Sequence, residues 1–155
     1  MDKNNAHLPL IELRPFQASD QTPVRDLILS GLQERWGNLD PALNKDLHNI
    51  GETFSGGHIL VACAGNQIIG CGGLLPVDET TAQIVRMSTA AAWRRIGVAS
   101  RLLSALEREA RLKGFSIIVL ETTSNWKSAV QFYQSRCYQI THYDGGDTYF
   151  TKQLA

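Results

Sequence analysis

The amino-acid sequence predicts an α+β fold with one mixed β-sheet. Segments rich in apolar and β-branched residues alternate with segments of helical period, in the order β-α-α-β-β-β-α-β-α-β-β. Two pairs of strand segments flank short glycine-containing turns, which is typical of antiparallel hairpins. One strand–helix–strand unit, residues 81–122, requires a crossover and so predicts a parallel pair with a right-handed connection. Residues 1–155 contain no repeat or linker and are expected to form a single domain.

The N-terminal third predicts one strand followed by two helices. Residues 8–16 alternate in polarity and end beside a proline, which favours a first strand. Apolar residues recur at helical spacing over residues 20–35, which predicts a helix, and Ser19 and Asp20 are the candidates for its N-cap. A second, short helix is expected to begin near Asp40-Pro41 and to place three apolar side chains on one side, Leu43, Leu47 and Ile50.

The remaining strands carry clear local signals. Apolar runs on both sides of Gly65-Asn66 predict a hairpin. Residues 81–89 are rich in Ile, Val and Thr, and residues 115–123 contain a continuous apolar run, as expected for a central strand. The segments on either side of Asp144-Gly145-Gly146-Asp147 predict a final hairpin.

Two further helices complete the predicted fold. From Gly97 onward the apolar period becomes helical, and this helix is expected to end at Lys113-Gly114, with a basic last turn and a glycine stop. Residues 125–137 predict the last helix. The helix that follows Gly97 should bury one face and expose the other; the buried set is Val98, Leu102, Leu106 and Ala110, and the exposed set is Arg101, Ser104, Arg108 and Arg111.

Composition excludes several classes of function. Lys+Arg and Asp+Glu both total 15, so the formal net charge is zero, and broad binding to nucleic acid or to a membrane surface is not expected. The three cysteines are odd in number and form no C-x-x-C pair, which argues against a disulfide framework or a metal site and favours a reducing compartment. The N-terminus has no apolar signal region, and no apolar run approaches the ~18 residues of a membrane span. A cytoplasmic location is therefore expected.

Residues 94–99, Arg-Arg-Ile-Gly-Val-Ala, join a predicted strand to a predicted helix and are called the 94–99 loop below. A helix N-terminus leaves backbone N–H groups without partners and carries partial positive charge, so it can hold an anion. Gly97 and Ala99 leave the backbone accessible, and Arg94 and Arg95 offer guanidinium groups to phosphate oxygens. On spacing alone, the loop is either the plain start of an amphipathic helix or a phosphate site. Neither a P-loop nor a Rossmann fingerprint is present.

The 94–99 loop resembles the central motif of the GCN5-related N-acetyltransferase (GNAT) family. The family signature [QR]-x-x-G-x-[GA] is matched at each of its fixed positions, with alanine in last place. The hairpin around Gly65-Asn66 is also similar to the second and third strands of the family. The resemblance implies a mixed, mostly antiparallel sheet with a central, splayed parallel strand pair, flanked by about four helices.

A second family motif lies in the last predicted helix. It is an Asn, an Ala and a Phe-Tyr that precede a Gly-Phe, and its first part is matched by Asn125, Ala129, Phe132 and Tyr133. Cys137-Tyr138 stands where the family has Gly-Phe, a departure in both residues. Taken together, the motifs extend the resemblance over nearly 100 residues, in the family's order.

The resemblance implies acetyl-CoA as the acetyl donor and CoA as the product. Backbone N–H groups of residues 95–100 would hold the pyrophosphate, and the end of the preceding strand would pair with the amides of the pantetheine arm. Tyr133 would lie near the CoA sulfur and protonate the departing thiolate. The implied cofactor-binding residues are Met87, Ser88, Thr89, Arg94, Arg95, Ile96, Gly97, Val98, Ala99, Ser100 and Asn125.

The base that activates the acceptor is less well defined by the sequence. An amine with a pKa of about 10 must lose a proton before it attacks the thioester. In the histone acetyltransferase branch of the family a Glu on the motif strand removes this proton, but Gln83 stands at that place. Glu121, on the adjacent strand, is either the catalytic base, directly or through water, or a solvated or hydrogen-bonded strand-end residue. Weaker candidates are His48, His58 and His142.

Arg86 directly precedes the end of the strand that would hold pantetheine, and this position allows two interpretations of its role. Arg86 either faces the acceptor, where it would attract a carboxylate, or pairs with Glu121 across the strands. Residues 31–57, where this fold usually builds acceptor specificity, contain a mixture of charged and aromatic side chains that names no substrate.

The predicted function is an acetyl-CoA-dependent N-acetyltransferase that transfers acetyl directly to a primary amine of a small-molecule or amino-acid-like acceptor. Two alternatives stay open: a protein or peptide N-acetyltransferase, and a non-catalytic module that binds acetyl-CoA. A homodimer is also compatible with the sequence.

Overall fold

A computed structural model describes residues 10–155, which form one seven-stranded sheet in the order β1-β2-β3-β4-β5-β7-β6. All neighbouring strands are antiparallel except β4 and β5, which are parallel. Residues 8 and 9, the predicted start of the first strand, lie outside the described residues. The strands are β1 (Ile11–Pro15), β2 (His58–Ala64), β3 (Gln67–Pro76), β4 (Thr81–Thr89), β5 (Ile117–Thr123), β6 (Gln139–Asp144) and β7 (Asp147–Gln153).

Helices cover both faces of the sheet. One buried cluster joins α1 and α2 to inward side chains such as Val61 and Cys71, and the other joins α3 and α4 to Ile118 and Phe150. The predicted mixed α+β sheet with flanking helices is confirmed. Within residues 10–155, no helix has the length and apolar character that crossing a bilayer requires. The α-helices are α1 (Gln21–Trp36), α2 (Ile50–Thr53), α3 (Val98–Leu112) and α4 (Lys127–Ser135).

The pattern of α3 follows the sequence prediction closely. The four residues of its predicted apolar face are all buried, and the four predicted to face outward are exposed. The helix is followed by Gly114 in a left-handed conformation, with φ +89°. Burial of one continuous stripe against β3 and β4 therefore fixes both the position and the rotation of α3.

The start of α1 differs in detail from the expected cap. Asp20 occupies the N-cap position, but its carboxylate does not accept from the helix. It accepts instead from both Nη groups of Arg14, at 2.6 and 2.9 Å, and from the Gln17 N–H at 2.8 Å. This buried carboxylate thus connects the end of β1 to the turn before α1, and the Arg14 guanidinium lowers its pKa.

The second predicted helix is two short pieces rather than one. A 3₁₀ helix spans Pro41–Leu47 and is kinked at Asn44, and α2 then begins behind Asn49, whose side chain accepts from the Glu52 N–H. Leu47 and Ile50 are buried as expected, but the prediction for Leu43 was wrong because it is 76% exposed. The period of 3.6 residues does not hold across a tighter helix that is interrupted at Asn44.

Gly70 on β3 permits the close approach of α3 to the sheet. A β-carbon at this position would lie 2.9 Å from Val98 Cγ1 and 3.1 Å from Leu102 Cδ1. Both neighbours are buried at the N-terminal end of α3. The height of this helix end above the sheet therefore depends on a missing side chain.

Gly70→Ala is expected to destabilise the protein by about 1–3 kcal/mol, because the methyl group must displace the start of α3. Gly56→Ala is the matched control: the site is open within 4 Å of the added carbon, and its free energy of unfolding should change by less than about 0.5 kcal/mol. Urea unfolding measures both. Equal stability of the two variants would contradict close packing at Gly70.

Candidate functional site

The two parallel strands separate after a short region of pairing. Registered pairs between β4 and β5 are limited to residues 81–83 and 117–119. Beyond them β4 continues to Thr89 while it pairs with β3, as in Gly70↔Thr89 and Cys71↔Ser88. Within the described residues, the opposite edge of β4 from Ile84 to Thr89 therefore has no strand partner. Such an edge can form hydrogen bonds with an extended molecule that carries amides.

A bulge in β4 lies where the two strands separate. Arg86 has φ +53°, and the pairing register with β3 shifts between Cys71 and Gly73. The Arg86 side chain donates to both carboxylate oxygens of Asp46, at 2.8 and 2.6 Å, and to Asn44 Oδ1 at 3.3 Å. Asp46 rather than Glu121 is thus its ion-pair partner, so of the two alternatives for Arg86 the one that paired it with Glu121 was wrong. This pair ties the 3₁₀ helix at Pro41–Leu47 to the strand.

The 94–99 loop presents backbone N–H groups at the start of α3. Arg95 and Gly97 both adopt left-handed conformations, with φ of +66° and +91°. Gly97 occupies the N-cap without a side-chain hydrogen bond, so the N–H groups of the first turn are not capped. The first turn, Val98–Arg101, contains no acidic residue. These features together suit an anion.

The two arginines of the loop differ in their surroundings. Arg94 donates from its two Nη atoms to the Glu34 carboxylate, at 2.7 and 2.9 Å, and from Nε to the Thr89 carbonyl at 3.2 Å. These hydrogen bonds raise the pKa of Arg94 and lower that of Glu34. Arg95 is exposed and forms no salt bridge with any described residue. The unpaired positive charge of the loop is therefore that of Arg95.

Tyr133 on α4 lies in the core on the α3 side of the sheet. It is 7% exposed, and its ring centroid lies 5.8 Å from that of Tyr138 and 5.7 Å from that of Phe150. Met87, at the end of β4, packs against the same buried cluster. Burial raises the pKa of Tyr133 to about 12, although the nearby Arg35 guanidinium acts in the opposite direction. The phenol is consequently protonated at neutral pH.

Glu121 projects from the opposite face of β5. Its neighbour Leu120 is buried in the α3-side cluster, and successive strand residues point to opposite faces. Across the β5–β7 pair Glu121 faces Tyr149, whose ring stacks on His142 at a centroid distance of 4.3 Å. Hydrogen bonding to Glu121 is the largest of the effects that raise the pKa of Tyr149 to about 12. Tyr149 was not found from the sequence, because only the strand register places it beside Glu121.

The last turn of α1 contacts the loop between β5 and α4. Trp36 meets Trp126 edge to face, with ring centroids 5.6 Å apart, and Arg35 Cζ lies 4.4 Å from the Trp126 ring centroid. Asn125, in the same loop, is exposed. Because Glu34 in this turn also contacts Arg94, α1 spans from the loop after β4 to the loop after β5.

The departure at Cys137-Tyr138 has a structural explanation. Cys137 ends α4 in a left-handed conformation with φ +70°, which is a conformation that favours glycine. The Tyr138 hydroxyl donates to Glu107 on α3 at 2.8 Å, and Lys152 on β7 donates to the same oxygen at 2.8 Å. The tyrosine is therefore accommodated by a buried polar network, whereas the cysteine carries backbone strain.

The family model described as "Acetyltransferase (GNAT) family" matches residues 22–137. The chain belongs to the GNAT family.

Two relatives support this assignment at the level of sequence. Over 109 residues the chain is 32% identical to N-acetyltransferase family 8 member 2 of Rattus norvegicus, with 65% of this chain and 48% of the relative covered. It is 32% identical over 101 residues to the N-acetyltransferase YsnE of Bacillus subtilis (strain 168), with 60% of this chain and 67% of the relative covered. This GNAT chain thus spans only about half the length of the rat relative.

Solved structures show the same fold. A GNAT-family acetyltransferase from Staphylococcus aureus Mu50 superposes with a TM-score of 0.86 at 20% identity and covers 94% of this chain and 100% of that one. The PaiA N-acetyltransferase of Thermoplasma acidophilum, solved in complex with coenzyme A, gives a TM-score of 0.83 at 16% identity, with 94% and 99% covered. The predicted GNAT fold, including its central parallel strand pair, is confirmed.

Cys137→Gly is expected to stabilise the protein by up to about 1 kcal/mol, because glycine removes the left-handed strain at a smaller cost in chain entropy. Cys137→Ser is the control, since it removes the thiol but keeps the β-carbon, and it should give no such gain. Thermal unfolding of both variants measures the difference. A serine variant as stable as the glycine variant would show that φ is not the cause.

Proposed function

We propose that the chain is an acetyl-CoA-dependent N-acetyltransferase that transfers acetyl directly to a primary amine of a small-molecule or amino-acid-like acceptor. The observation that carries this proposal is the juxtaposition of an unpaired β4 edge with an uncapped helix N-terminus in a GNAT-family chain. A strand edge suits the amides of pantetheine, and the helix N-terminus suits a pyrophosphate. One ligand that carries both groups in sequence is CoA.

On the donor side, the chain would bind the cofactor mainly through its backbone. N–H groups of residues 95–100 face the pyrophosphate, and the free edge of β4 pairs with the pantetheine arm. Gly97 allows close approach because open space surrounds its α-carbon. The residues proposed to contact the cofactor are Met87, Ser88, Thr89, Arg95, Ile96, Gly97, Val98, Ala99, Ser100 and Asn125. The side chain of Arg94, which the sequence placed in this set, is bonded to Glu34 and Thr89 instead.

The acid and the base of the proposed reaction lie on opposite faces of the sheet. The amine attacks the thioester carbon, the tetrahedral oxyanion accepts from a backbone N–H near the β4 bulge, and the carbon–sulfur bond then breaks. Tyr133, protonated at neutral pH and in the cluster that includes Met87, is the proposed acid for the CoA thiolate. No covalent intermediate on the protein is needed.

Glu121 is the proposed base, directly or through a water molecule. It is exposed on the face of the sheet opposite Tyr133. The amine would therefore approach the thioester from the Glu121 face, while Tyr133 protonates the sulfur from the other face. The carboxylates of Glu121, Asp144 and Asp147 all raise the pKa of Tyr149, which places negative potential on this face. A cationic ammonium group is attracted to such a face before it is deprotonated.

Turnover tests the proposal. The chain is incubated with acetyl-CoA and a panel of small amines, amino acids and lysine-containing peptides, while free CoA is followed by mass spectrometry. CoA release that requires a small amine supports the proposal. Preference for peptides would assign a protein N-acetyltransferase. Tight CoA binding without turnover on any acceptor would indicate a non-catalytic module and rule out the enzyme.

Tyr133→Phe should lower kcat by about 10²-fold and change the CoA Kd by less than about twofold, because only the proton donor is lost. Tyr143→Phe, at an exposed position, is the control and should leave both parameters unchanged. Steady-state kinetics with calorimetric CoA binding separate the two effects. An unchanged kcat for Tyr133→Phe would exclude this residue as the acid.

Gly97→Ala should weaken CoA binding by about tenfold, since a methyl group in the loop obstructs hydrogen bonds to a charged phosphate. Gly114→Ala at the other end of α3 is a matched control, because its φ is +89° against +91° at Gly97 and both sites are open. Both variants should lose similar stability, about 1 kcal/mol. Calorimetry should show weaker CoA binding for Gly97→Ala alone; a similar loss of affinity in both would attribute it to strain.

A further inference from the structure

The ion pair between Glu34 and Arg94 links two segments that are far apart in sequence. Glu34 lies in the last turn of α1, and Arg94 opens the 94–99 loop 60 residues later. The pair is bidentate, with Nη–Oε distances of 2.7 and 2.9 Å, a geometry that fixes the guanidinium plane. It therefore holds the loop at a defined distance from α1.

A third hydrogen bond completes the attachment of the guanidinium. Arg94 Nε donates to the carbonyl of Thr89 at 3.2 Å, so one side chain connects α1, the end of β4 and the 94–99 loop. Nη1, Nη2 and Nε thus all have protein acceptors. Each Nη keeps one further N–H, but the Glu34 carboxylate already balances the guanidinium charge, so Arg94 offers a phosphate less unpaired charge than Arg95 does.

We infer that Arg94 is a positioning residue that works together with Glu34, and that it sets the geometry of the 94–99 loop rather than binding phosphate itself. This inference rests on the proposed function, because the loop is the proposed pyrophosphate site. It assigns a role in cofactor binding to Glu34, which lies outside both sequence motifs. Arg95, exposed and without a salt bridge to any described residue, is then the arginine that supplies charge to the phosphates.

A second contact of the same helix turn supports this role. Arg35 lies over the Trp126 ring, 4.4 Å from its centroid, and Trp36 meets that ring edge to face. The turn is thus attached to the loop after β5 while Glu34 is attached to the loop after β4. The Glu34–Arg94 pair also lines a cavity of about 240 Å³ between α1 and the β4–α3 connection, together with residues such as Gly31, Ile68 and Ala90.

The two roles of Arg94 predict opposite results for Glu34→Gln. If Arg94 is a positioning residue, Glu34→Gln and Arg94→Gln each weaken CoA binding by about fivefold, and the double variant is no weaker than either single variant. If Arg94 binds phosphate directly, Glu34→Gln releases the guanidinium and tightens CoA binding. Calorimetric titration of the four proteins with CoA measures this cycle, and thermal unfolding verifies that each is folded.

Two further sets of variants, the charge-reversed pair and Arg95→Gln, distinguish a positioning role of Arg94 from direct phosphate binding. Glu34→Arg combined with Arg94→Glu should recover much of the affinity that Arg94→Glu alone loses, whereas a direct phosphate ligand could not be replaced by a glutamate. Arg95→Gln is the contrasting variant: it should flatten the salt dependence of CoA binding, while the double variant with Glu34→Gln and Arg94→Gln leaves that dependence unchanged because it removes one positive and one negative charge together. In turnover, Glu34→Gln should raise the KM for acetyl-CoA and leave kcat unchanged.

The outcomes separate this inference from the proposed function. Additive losses, tighter binding of CoA by Glu34→Gln, or no recovery in the reversed pair would overturn the positioning role while CoA binding by the unmodified chain stands. An unmodified chain that does not bind CoA would overturn both.

Discussion

The limited pairing between β4 and β5 is the constraint on which the rest of the site depends. Parallel hydrogen bonds hold the two strands together only at residues 81–83 and 117–119, and β4 then follows β3 through the bulge at Arg86. A sheet interior normally satisfies both edges of each strand, so the separation leaves backbone groups of β4 available in the middle of the molecule. Neighbouring segments contact β4 and the loop after it through ion pairs: Asp46 binds Arg86, and Glu34 binds Arg94.

The sheet also divides the proposed chemistry between two environments. Tyr133 lies among aromatic rings on the α3 side, where burial keeps the phenol protonated. Glu121 lies on the other face in open surroundings, beside Tyr149 and its stacked partner His142. Because successive side chains along β5 point to opposite faces of the sheet, a step of one residue along the strand changes the environment from one face to the other. A reaction that removes a proton at one group and delivers a proton at another is compatible with this division.

Local patterns in the sequence predicted much of the fold. The bounds of β4, the two hairpins and the buried stripe of α3 follow from polarity periods and turn residues that act over a few positions. The pieces between residues 41 and 53 could not be predicted in the same way, because Asn44 interrupts the helical period and Leu43 turns outward. The motif loop was located by sequence, but the left-handed conformations of Arg95 and Gly97 within it were not predicted.

The parts of the site that escaped sequence analysis all depend on contacts between distant segments. Glu34 and Arg94 are 60 positions apart, and Arg86 and Asp46 are 40 apart. Tyr149 is placed beside Glu121 only by the register of β5 and β7. No period or motif encodes such partners, since each residue is ordinary in its own neighbourhood.

The attachment of α1 to both loops has a consequence for how this chain could be divided. A fragment beginning at His58 would retain both sequence motifs and six of the seven described strands. It would nevertheless lose the whole layer that covers Val61, Cys63 and Cys71, together with the carboxylates that hold Arg86 and Arg94. The region with the recognisable signature therefore does not contain the whole proposed cofactor site, because the first third of the chain supplies the contacts that hold Arg86 and Arg94.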